Sequence, residues 1–196
     1  MKLNLGSYIY PMKGYWNVDV AKWDGVDQQV DLNSLPWPFR DNSCEVVRAV
    51  DIIEHLGKIT KVEAVHELAR ITKPGGRVVV RVPCLFHPTS FQSLQHAHGF
   101  YLDSFASDYT NKEFLCVERR ISFHYRGPEF RFIFPVRLLY RIAARLGLVE
   151  TIVFELVKKG RLVKHKSLIY PQTLTKDGKM RRKEGTHKRT TEKARQ

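Results

Sequence analysis

The sequence predicts an α/β protein with a mostly parallel sheet that is covered by helices. Two short runs rich in β-branched residues, Cys44–Val50 and Val78–Val82, have the character of buried strands. The segment between them carries apolar residues at helical spacing, so the order is strand, helix, strand. That order is typical of parallel strands joined by a crossover helix, and it predicts the α/β class.

Three more strands are predicted before this unit: Lys2–Leu5, Tyr15–Val20 and Val26–Leu32. Each is a short apolar run that stops at a small or acidic residue. The turn-forming segment 36–42, with two prolines, an aspartate and an asparagine, separates the third strand from Cys44–Val50.

The predicted crossover helix begins after Thr60. Thr60 and Glu63 have the S/T-x-x-E spacing of a capping box, and Pro74–Gly76 predicts the end of the helix. Two later strands are predicted at Phe114–Tyr125 and Thr151–Val157, where β-branched and aromatic residues recur.

A second long helix is predicted at Pro135–Leu146, and it has two distinct faces. One is basic, with arginines at every fourth position, Arg137, Arg141 and Arg145; the other is apolar, with Leu138, Leu139, Ile142 and Leu146. Three interpretations stay open: a surface helix that lies on the sheet, a phosphate-binding ridge, or an interfacial helix.

Composition predicts one ordinary globular domain. Apolar residues make up 43% of the 196 residues, and no apolar stretch is long enough for a membrane-spanning helix. The first residues lack the apolar segment of a secretory signal. The three cysteines, Cys44, Cys84 and Cys116, are widely spaced and predict no disulfide framework. We therefore expect a cytoplasmic protein.

The positive charge is concentrated at the C-terminal end. The chain carries 33 Lys and Arg against 20 Asp and Glu, and 14 of these bases but only three of the acids lie from Lys158 onward. Few large apolar residues accompany them. We predict a nearly neutral domain at residues 1–158 and a basic, disordered tail at residues 159–196, which could contact nucleic acid.

Three predicted strand ends carry residues suited to a nucleoside ligand. Gly6 directly follows the first strand, where a glycine lets a ligand approach the backbone. Asp19 ends the second strand, and one carboxylate there can accept hydrogen bonds from both ribose hydroxyls. Asp31 ends the third strand, where a purine edge could lie. The alternative for each is a turn glycine or a solvated loop acid.

Short motifs occur in a characteristic order between residues 2 and 105. They are 3–7 (LNLGS), 17–19 (NVD), 31–32 (DL) followed by 36–43 (PWPFRDNS), 53–56 (IEHL), 67–76 (ELARITKPGG) and 82–83 (VP). In this order they resemble the class I S-adenosylmethionine-dependent methyltransferases, and most closely the small type 11 branch.

The resemblance implies a seven-stranded, Rossmann-like sheet and the cofactor S-adenosylmethionine. By motif match, Gly6 and Ser7 would line the amino-acid end of the cofactor. Asp19 would bind its ribose, and Asp31 with Leu32 would line its adenine. The methyl acceptor and the oligomeric state are not indicated.

Methyl transfer requires a general base only if the acceptor must lose a proton. We predict Asp51, at the end of the fourth strand, and His96 as the candidates. Cys-x-x-His and His-x-His spacings leave a zinc site open as an alternative, built from Cys84, His87, His96 and His98, but our prediction includes no metal. His55, inside an apparent helix, is predicted to be structural.

Two features keep other functions open. Tyr8 stands where the family usually has a second glycine, and we expect it to lie over the cofactor; the segment 6–17 is also too short for a crossover helix. An active methyltransferase is the main hypothesis. A methyltransferase-like fold that has lost the cofactor and binds nucleic acid is the alternative. A dinucleotide-dependent oxidoreductase or nucleotide-sugar enzyme is disfavoured by the absence of G-x-G-x-x-G.

Overall fold

The computed structural model describes residues 1–97, 99–105, 112–123, 129–131 and 137–160. Over these residues it contains one sheet with the strand order β3-β2-β1-β4-β5-β8-β6-β7. The strands are β1 (Lys2–Leu5), β2 (Trp16–Asp19), β3 (Gln28–Gln29), β4 (Cys44–Val50), β5 (Thr72–Pro83), β6 (Phe114–Ser122), β7 (Phe130–Arg131) and β8 (Thr151–Lys158).

The predicted mostly parallel, Rossmann-like sheet is confirmed. Strands β1 to β5 run parallel to one another, and β8 enters antiparallel between β5 and β6. The described residues form eight strands instead of the implied seven, because the two-residue strand β7 pairs with β6 at the edge.

In the described part of the chain, all helices follow β4 in the sequence. They are α1 (Lys61–Ile71), α2 (Thr89–Gln92) and α3 (Arg137–Arg145), and a 3₁₀ turn, η1 (Ile53–His55), follows β4. The capping box of α1 is confirmed: Thr60 Oγ1 accepts from the Glu63 amide at 3.2 Å, and Glu63 Oε2 accepts from the Thr60 amide at 2.8 Å.

The predicted end of α1 at Pro74–Gly76 is wrong. The helix ends at Ile71, and Thr72 already pairs with Cys44 as the first residue of β5. The next β5 residue in register is Arg77, so the prolyl-glycyl segment forms a bulge in the strand. Proline cannot donate to the ladder, and Gly75 has φ +76°, so both suit a bulge better than regular pairing.

No helix connects the first four strands, all of which lie in the fully described range 1–97, so the short first crossover is confirmed. Two buried amides organise that connection instead. Asn17 Oδ1 accepts from Asn4 Nδ2 at 3.0 Å and from the Met12 amide at 2.8 Å. Asn17 Nδ2 donates to the carbonyls of Met12 and Tyr15. Hydrogen bonds of the Asn17 side chain thus fix the connection between β1 and β2, which contains no crossover helix.

The connection to β4 is fixed to α1 by one arginine. Arg70 donates to both carboxylate oxygens of Glu67 and to the carbonyls of Trp37 and Phe39. Trp37 is fully buried, and its indole N–H donates to the Leu32 carbonyl at 2.9 Å. This packing holds the chain after β3 against the core, which includes the apolar residues of β1, β4, β5 and β8 together with those of α1.

Helix α3 contradicts the interpretation in which its apolar face lies on the sheet. Leu138, Leu139 and Ile142 are 46–66% exposed, while Ala144 is fully buried. The helix is held from its other side, since Arg141 Nη2 pairs with Asp103 Oδ2 at 2.6 Å and the Tyr101 hydroxyl donates to the Arg141 carbonyl at 3.3 Å. An ion pair and small residues therefore set its orientation.

The domain boundary predicted at residue 158 stays a prediction. The described residues belong to the unit Met1–Val163, and the second unit, Lys164–Gln196, lies outside them. The predicted basic tail therefore also lies outside the described residues, apart from 159 and 160. No helix in the described part of the chain is long and apolar enough to cross a membrane.

Candidate functional site

The carboxyl ends of the parallel strands form one edge of the sheet, and Gly6 occupies its centre. Gly6 has φ +62°, and a Cβ added there would lie 2.7 Å from the side chain of Ile52. Backbone conformation and space therefore both require glycine at this position. The tight approach of Ile52 to Gly6 brings the loops after β1 and β4 together.

Asp19 ties the loop after β1 to the end of β2. Its Oδ2 accepts from the Tyr8 amide at 2.9 Å, and its Oδ1 accepts from the Ala21 amide at 3.0 Å. The Ser7 amide donates to the Val18 carbonyl at 2.9 Å. Each carboxylate oxygen keeps a second lone pair, so Asp19 can still accept from a ligand hydroxyl.

A cavity of about 810 Å³ opens above this edge. Its lining includes Gly6, Ser7, Tyr8 and Asp19 from the first two strand ends. Ser7 is buried, and its hydroxyl has no hydrogen-bond partner in the described part of the chain. A volume in the usual range of ligand pockets and an unsatisfied buried hydroxyl both fit a bound ligand.

A second cavity of about 270 Å³ shares Gly6 and Asp19 with the first and extends to Asp31 and Leu32. Asp31 closes its own turn, since Oδ1 accepts from the Asn33 amide at 2.9 Å and Oδ2 from the Ser34 hydroxyl at 3.1 Å. The structure therefore brings all six predicted cofactor-binding residues to two adjoining cavities.

Tyr8 lies at the mouth of the larger cavity. It has φ +45°, its side chain is 49% exposed, and its ring meets Trp23 edge-on at a centroid distance of 4.9 Å. Tyr10 adds a second edge-on contact at 6.2 Å. The ring is thus part of an exposed aromatic cluster beside the cavity and does not belong to the core.

Two arginines that lie on buried strands and line the larger cavity were not predicted from the sequence. Arg48 of β4 donates to Asn4 Oδ1 at 3.0 Å, and Arg81 of β5 donates from Nε and Nη2 to the two carboxylate oxygens of Asp51. Cations inside otherwise apolar β-branched strands are the signal that could have found them. Arg81 therefore engages both carboxylate oxygens of Asp51.

A third cavity of about 380 Å³ borders the first through Asp51 and His55. Glu54 is 1% exposed, and this burial raises the pKa of its carboxyl to about 8. Burial and the neighbouring His96 lower the pKa of His55. The rings of His55 and His96 meet edge-on, with centroids 4.7 Å apart. His55 therefore lines the cavities and is not merely packed in a helix.

Cys84, His87 and His96, the described residues of the proposed zinc alternative, do not converge on one point. Cys84 is buried, which raises its pKa, and His87 Nδ1 lies 2.8 Å from the Thr89 hydroxyl. His98 lies outside the described residues. Within the described ranges, the potential ligand atoms that converge belong to Glu54, His55 and His96.

The fold is a Rossmann-like α/β fold of the methyltransferase type. Residues 17–80 match the family model for a methyltransferase domain of type 11. The predicted likeness to the type 11 branch of class I S-adenosylmethionine-dependent methyltransferases is thereby confirmed. No curated protein matches the sequence.

Solved structures of the same type cover most of the chain. An S-adenosylmethionine-dependent methyltransferase from Thermotoga maritima, described as a possible histamine N-methyltransferase, is 15% identical with a TM-score of 0.56, over 81% of this chain and 82% of its own. A Haloferax volcanii methyltransferase in complex with its activator Trm112 is 16% identical with a TM-score of 0.52, over 80% and 81%. At these identities the likeness shows the fold alone.

Proposed function

We propose that this protein is an S-adenosylmethionine-dependent methyltransferase that holds its cofactor above the ends of β1, β2 and β3. The observation that carries the proposal is the convergence of six motif residues, Gly6, Ser7, Tyr8, Asp19, Asp31 and Leu32, on two adjoining cavities. The cofactor, when bound, supplies an electrophilic methyl group on a sulfonium.

The residues of the first two strand ends would bind the ribose and the amino-acid end. Asp19 accepts hydrogen bonds from both ribose hydroxyls, while its bonds to the Tyr8 and Ala21 amides keep the carboxylate in place. Gly6 allows the close backbone approach, and the Ser7 hydroxyl gains a partner. Arg48 or Arg81 would neutralise the carboxylate of the amino-acid end.

The end of β3 would bind the base of the cofactor. Leu32 offers an apolar surface to a purine ring, and Asp31 can accept from an exocyclic amine. The side of the cavity lined by Asp51, His55 and His96 is left for the methyl acceptor. A general-base role for Asp51 or His96 remains part of this proposal, as does a cytoplasmic location.

The alternative, a nucleic-acid-binding module without a cofactor, depends on the basic tail and on Tyr8 blocking the site. The exposed Tyr8 ring leaves the cavity open, which favours cofactor binding. The tail itself lies outside the described residues. Whether it binds nucleic acid therefore needs a separate test.

Calorimetric titration with S-adenosylhomocysteine tests the proposal. We expect the wild type to bind and Asp19→Ala to weaken the affinity roughly 10- to 100-fold, since a charge-assisted hydrogen bond contributes about 1.5–3 kcal/mol. Asp24→Ala is the matched control, because Asp24 is an exposed acid in the next loop that lines none of these cavities. Absence of binding by the wild type, or an unchanged affinity in Asp19→Ala, would contradict the proposal.

Methyl transfer is tested separately from binding. Turnover with labelled S-adenosylmethionine on nucleic-acid, sugar and small-molecule pools would identify the acceptor class. Binding of S-adenosylhomocysteine without methyl transfer to any pool would indicate a domain that binds the cofactor but is not an enzyme. That result would contradict the enzymatic part of the proposal.

A further inference from the structure

Glu54, His55 and His96 present potential ligand atoms that all lie within 4.8 Å of one another. Glu54 and His55 come from the 3₁₀ turn after β4, and His96 comes from the segment after α2. A backbone hydrogen bond of 2.7 Å from the Ala97 amide to the Glu54 carbonyl brings the two segments together. The cluster is therefore built by tertiary contact between two backbones and does not depend on surface side chains alone.

Two of these side chains have buried polar atoms without a partner. Glu54 Oε2 and His55 Nδ1 make no hydrogen bond in the described part of the chain. An unsatisfied, fully buried carboxylate oxygen is costly, and native proteins rarely keep one without a ligand or ion. This is the observation that separates the cluster from an ordinary packed group of histidines.

Each of the two imidazoles offers a nitrogen that could bind a metal ion. His96 Nδ1 donates to the Ser90 carbonyl at 3.1 Å, because a carbonyl can only accept, and this leaves the lone pair on Nε2. His55 Nδ1 is buried and has no hydrogen-bond partner in the described part of the chain. Each ring thus keeps a nitrogen for a metal ion, and His96, which bonds the backbone with its other nitrogen, has the arrangement typical of metal-bound histidine.

The charges around the cluster also suit a cation. Asp51 and Glu150 line the same cavity as Glu54, and Arg81 opposes them through its pair with Asp51. Two imidazoles and one carboxylate form a donor set that suits zinc and other borderline divalent metals better than Mg²⁺, which prefers oxygen ligands. Bond lengths of about 2.0–2.2 Å require the three ligand atoms to close by roughly 1 Å, which side-chain rotation provides.

We propose that Glu54, His55 and His96 form a binding site for a divalent transition-metal ion, Zn²⁺ by preference, with an open coordination position toward the cavity of Asp51 and Thr151. Three protein ligands leave room for water or for an oxygen of a small molecule. If the proposed methyltransferase function holds, that oxygen would be an acceptor hydroxyl, which a metal ion makes easier to deprotonate.

Metal content of the full-length, tag-free protein tests the site. After treatment with a chelator, reloading with zinc and desalting, we expect about one zinc ion per wild-type chain by elemental analysis. Glu54→Gln and His96→Gln should lower zinc affinity on the order of 100-fold or more and lose the retained ion. His87→Gln is the matched control, because His87 is in the same loop region but bonds Thr89 and lies outside the cluster.

Cobalt provides a second readout that does not depend on activity. Co²⁺ in place of zinc should give visible d–d absorption bands in the wild type and in His87→Gln, and these bands should be lost in His96→Gln. Zinc retention that is equal in the wild type, Glu54→Gln and His96→Gln, or no retention by a folded wild type, would overturn the proposal.

The same preparations separate this proposal from the cofactor proposal. S-adenosylhomocysteine titrations of zinc-free wild type and of His96→Gln should still show binding, because the predicted cofactor contacts lie on β1, β2 and β3. Lost zinc with retained S-adenosylhomocysteine binding is the expected result. Retained zinc with no cofactor binding would contradict the proposed function and leave the metal site in place.

Discussion

The two sides of the adjoining cavities are built in different ways. On the proposed cofactor side, Gly6, Asp19 and Asp31 each follow or end a strand, so the order of the strands places them on one edge. On the proposed acceptor side, Glu54 and His55 meet His96, which is about 40 residues further along the chain and lies in no strand.

This difference determines what a sequence can predict. A residue at the end of a parallel strand is positioned by the strand alone, and the carboxyl ends of neighbouring strands meet at one edge. A residue in a loop is positioned by whatever its backbone contacts, here the bond from the Ala97 amide to the Glu54 carbonyl. The sequence could therefore indicate which residues meet at the proposed cofactor side, but not that Glu54 and His55 meet His96.

The strongest test of the cofactor side is Gly6→Ala. The substitution adds a Cβ 2.7 Å from Ile52 at a φ of +62°, so we expect a loss of about 2–4 kcal/mol of stability and a large loss of S-adenosylhomocysteine binding. Thermal unfolding and calorimetry measure both effects.

Gly14→Ala is the control for the backbone cost alone. Gly14 has φ +83° in the same connection, and nothing lies within 4 Å of its added Cβ. We expect it to lose about 1–2 kcal/mol and to bind S-adenosylhomocysteine normally. Equal effects of the two substitutions would show that the contact with Ile52 does not shape the site.

Arg81→Met tests whether the missed arginine belongs to the cofactor side. It removes the partner of Asp51 and one of the two cations in the larger cavity, so S-adenosylhomocysteine affinity should fall roughly 10- to 100-fold. Arg77→Met is the matched control in the same strand, since Arg77 pairs with Glu155 on the surface at 3.2 Å. An unchanged S-adenosylhomocysteine affinity in Arg81→Met would indicate that Arg81 only positions Asp51 and does not contact the cofactor.

Much of the fold was predictable from local sequence, because its signals are local. The bounds of β1 and β4 and the capping box of α1 follow from short apolar runs and from the Thr60–Glu63 spacing. The end of α1 was misplaced because β5 begins early and absorbs Pro74–Gly76 as a bulge. The pairing of β5 with β4 therefore determines where α1 ends, and the local sequence does not.

The packing of α3 and the contacts of Glu54 and His55 could not be predicted from the sequence for a common physical reason. Helical periodicity predicts two faces in α3 but does not say which one the fold contacts, and the Arg141–Asp103 ion pair decides it. Likewise, Glu54 and His55 were visible in the sequence, but the burial that makes Glu54 unusual depends on the segment after α2. Contacts between residues far apart in the sequence therefore determine both the packing of α3 and the burial of Glu54.

Tyr8→Gly tests a smaller contribution on the cofactor side. The substitution relieves a positive φ on a bulky residue, so we expect unfolding to change little, while loss of the ring should weaken S-adenosylhomocysteine binding about five-fold. Tyr8→Phe keeps the ring and should bind as the wild type does. A large fall in melting temperature with unchanged affinity would place the ring in a structural role.

Deletion of residues 172–196 should have the smallest effect on the cavity. Every predicted cofactor contact precedes the tail, so the S-adenosylhomocysteine affinity should stay the same. Nucleic-acid binding, measured at low and moderate salt, should weaken and lose part of its salt dependence, since phosphate contacts release counterions. Equal nucleic-acid affinity with and without these residues would contradict the tail hypothesis.

The antiparallel entry of β8 between β5 and β6 has a consequence for the order in which the molecule can assemble. Strand β8 pairs with β5 and with β6, and β5 and β6 do not pair with each other. During synthesis the strands β3-β2-β1-β4-β5 can form a sheet before β8 is made. Strand β6 cannot yet join that sheet, because it pairs with β8 and not with β5. Until Lys158 leaves the ribosome, β5 therefore presents an open edge to other chains. Chains that stop before β8 should aggregate, while chains that stop soon after it should not.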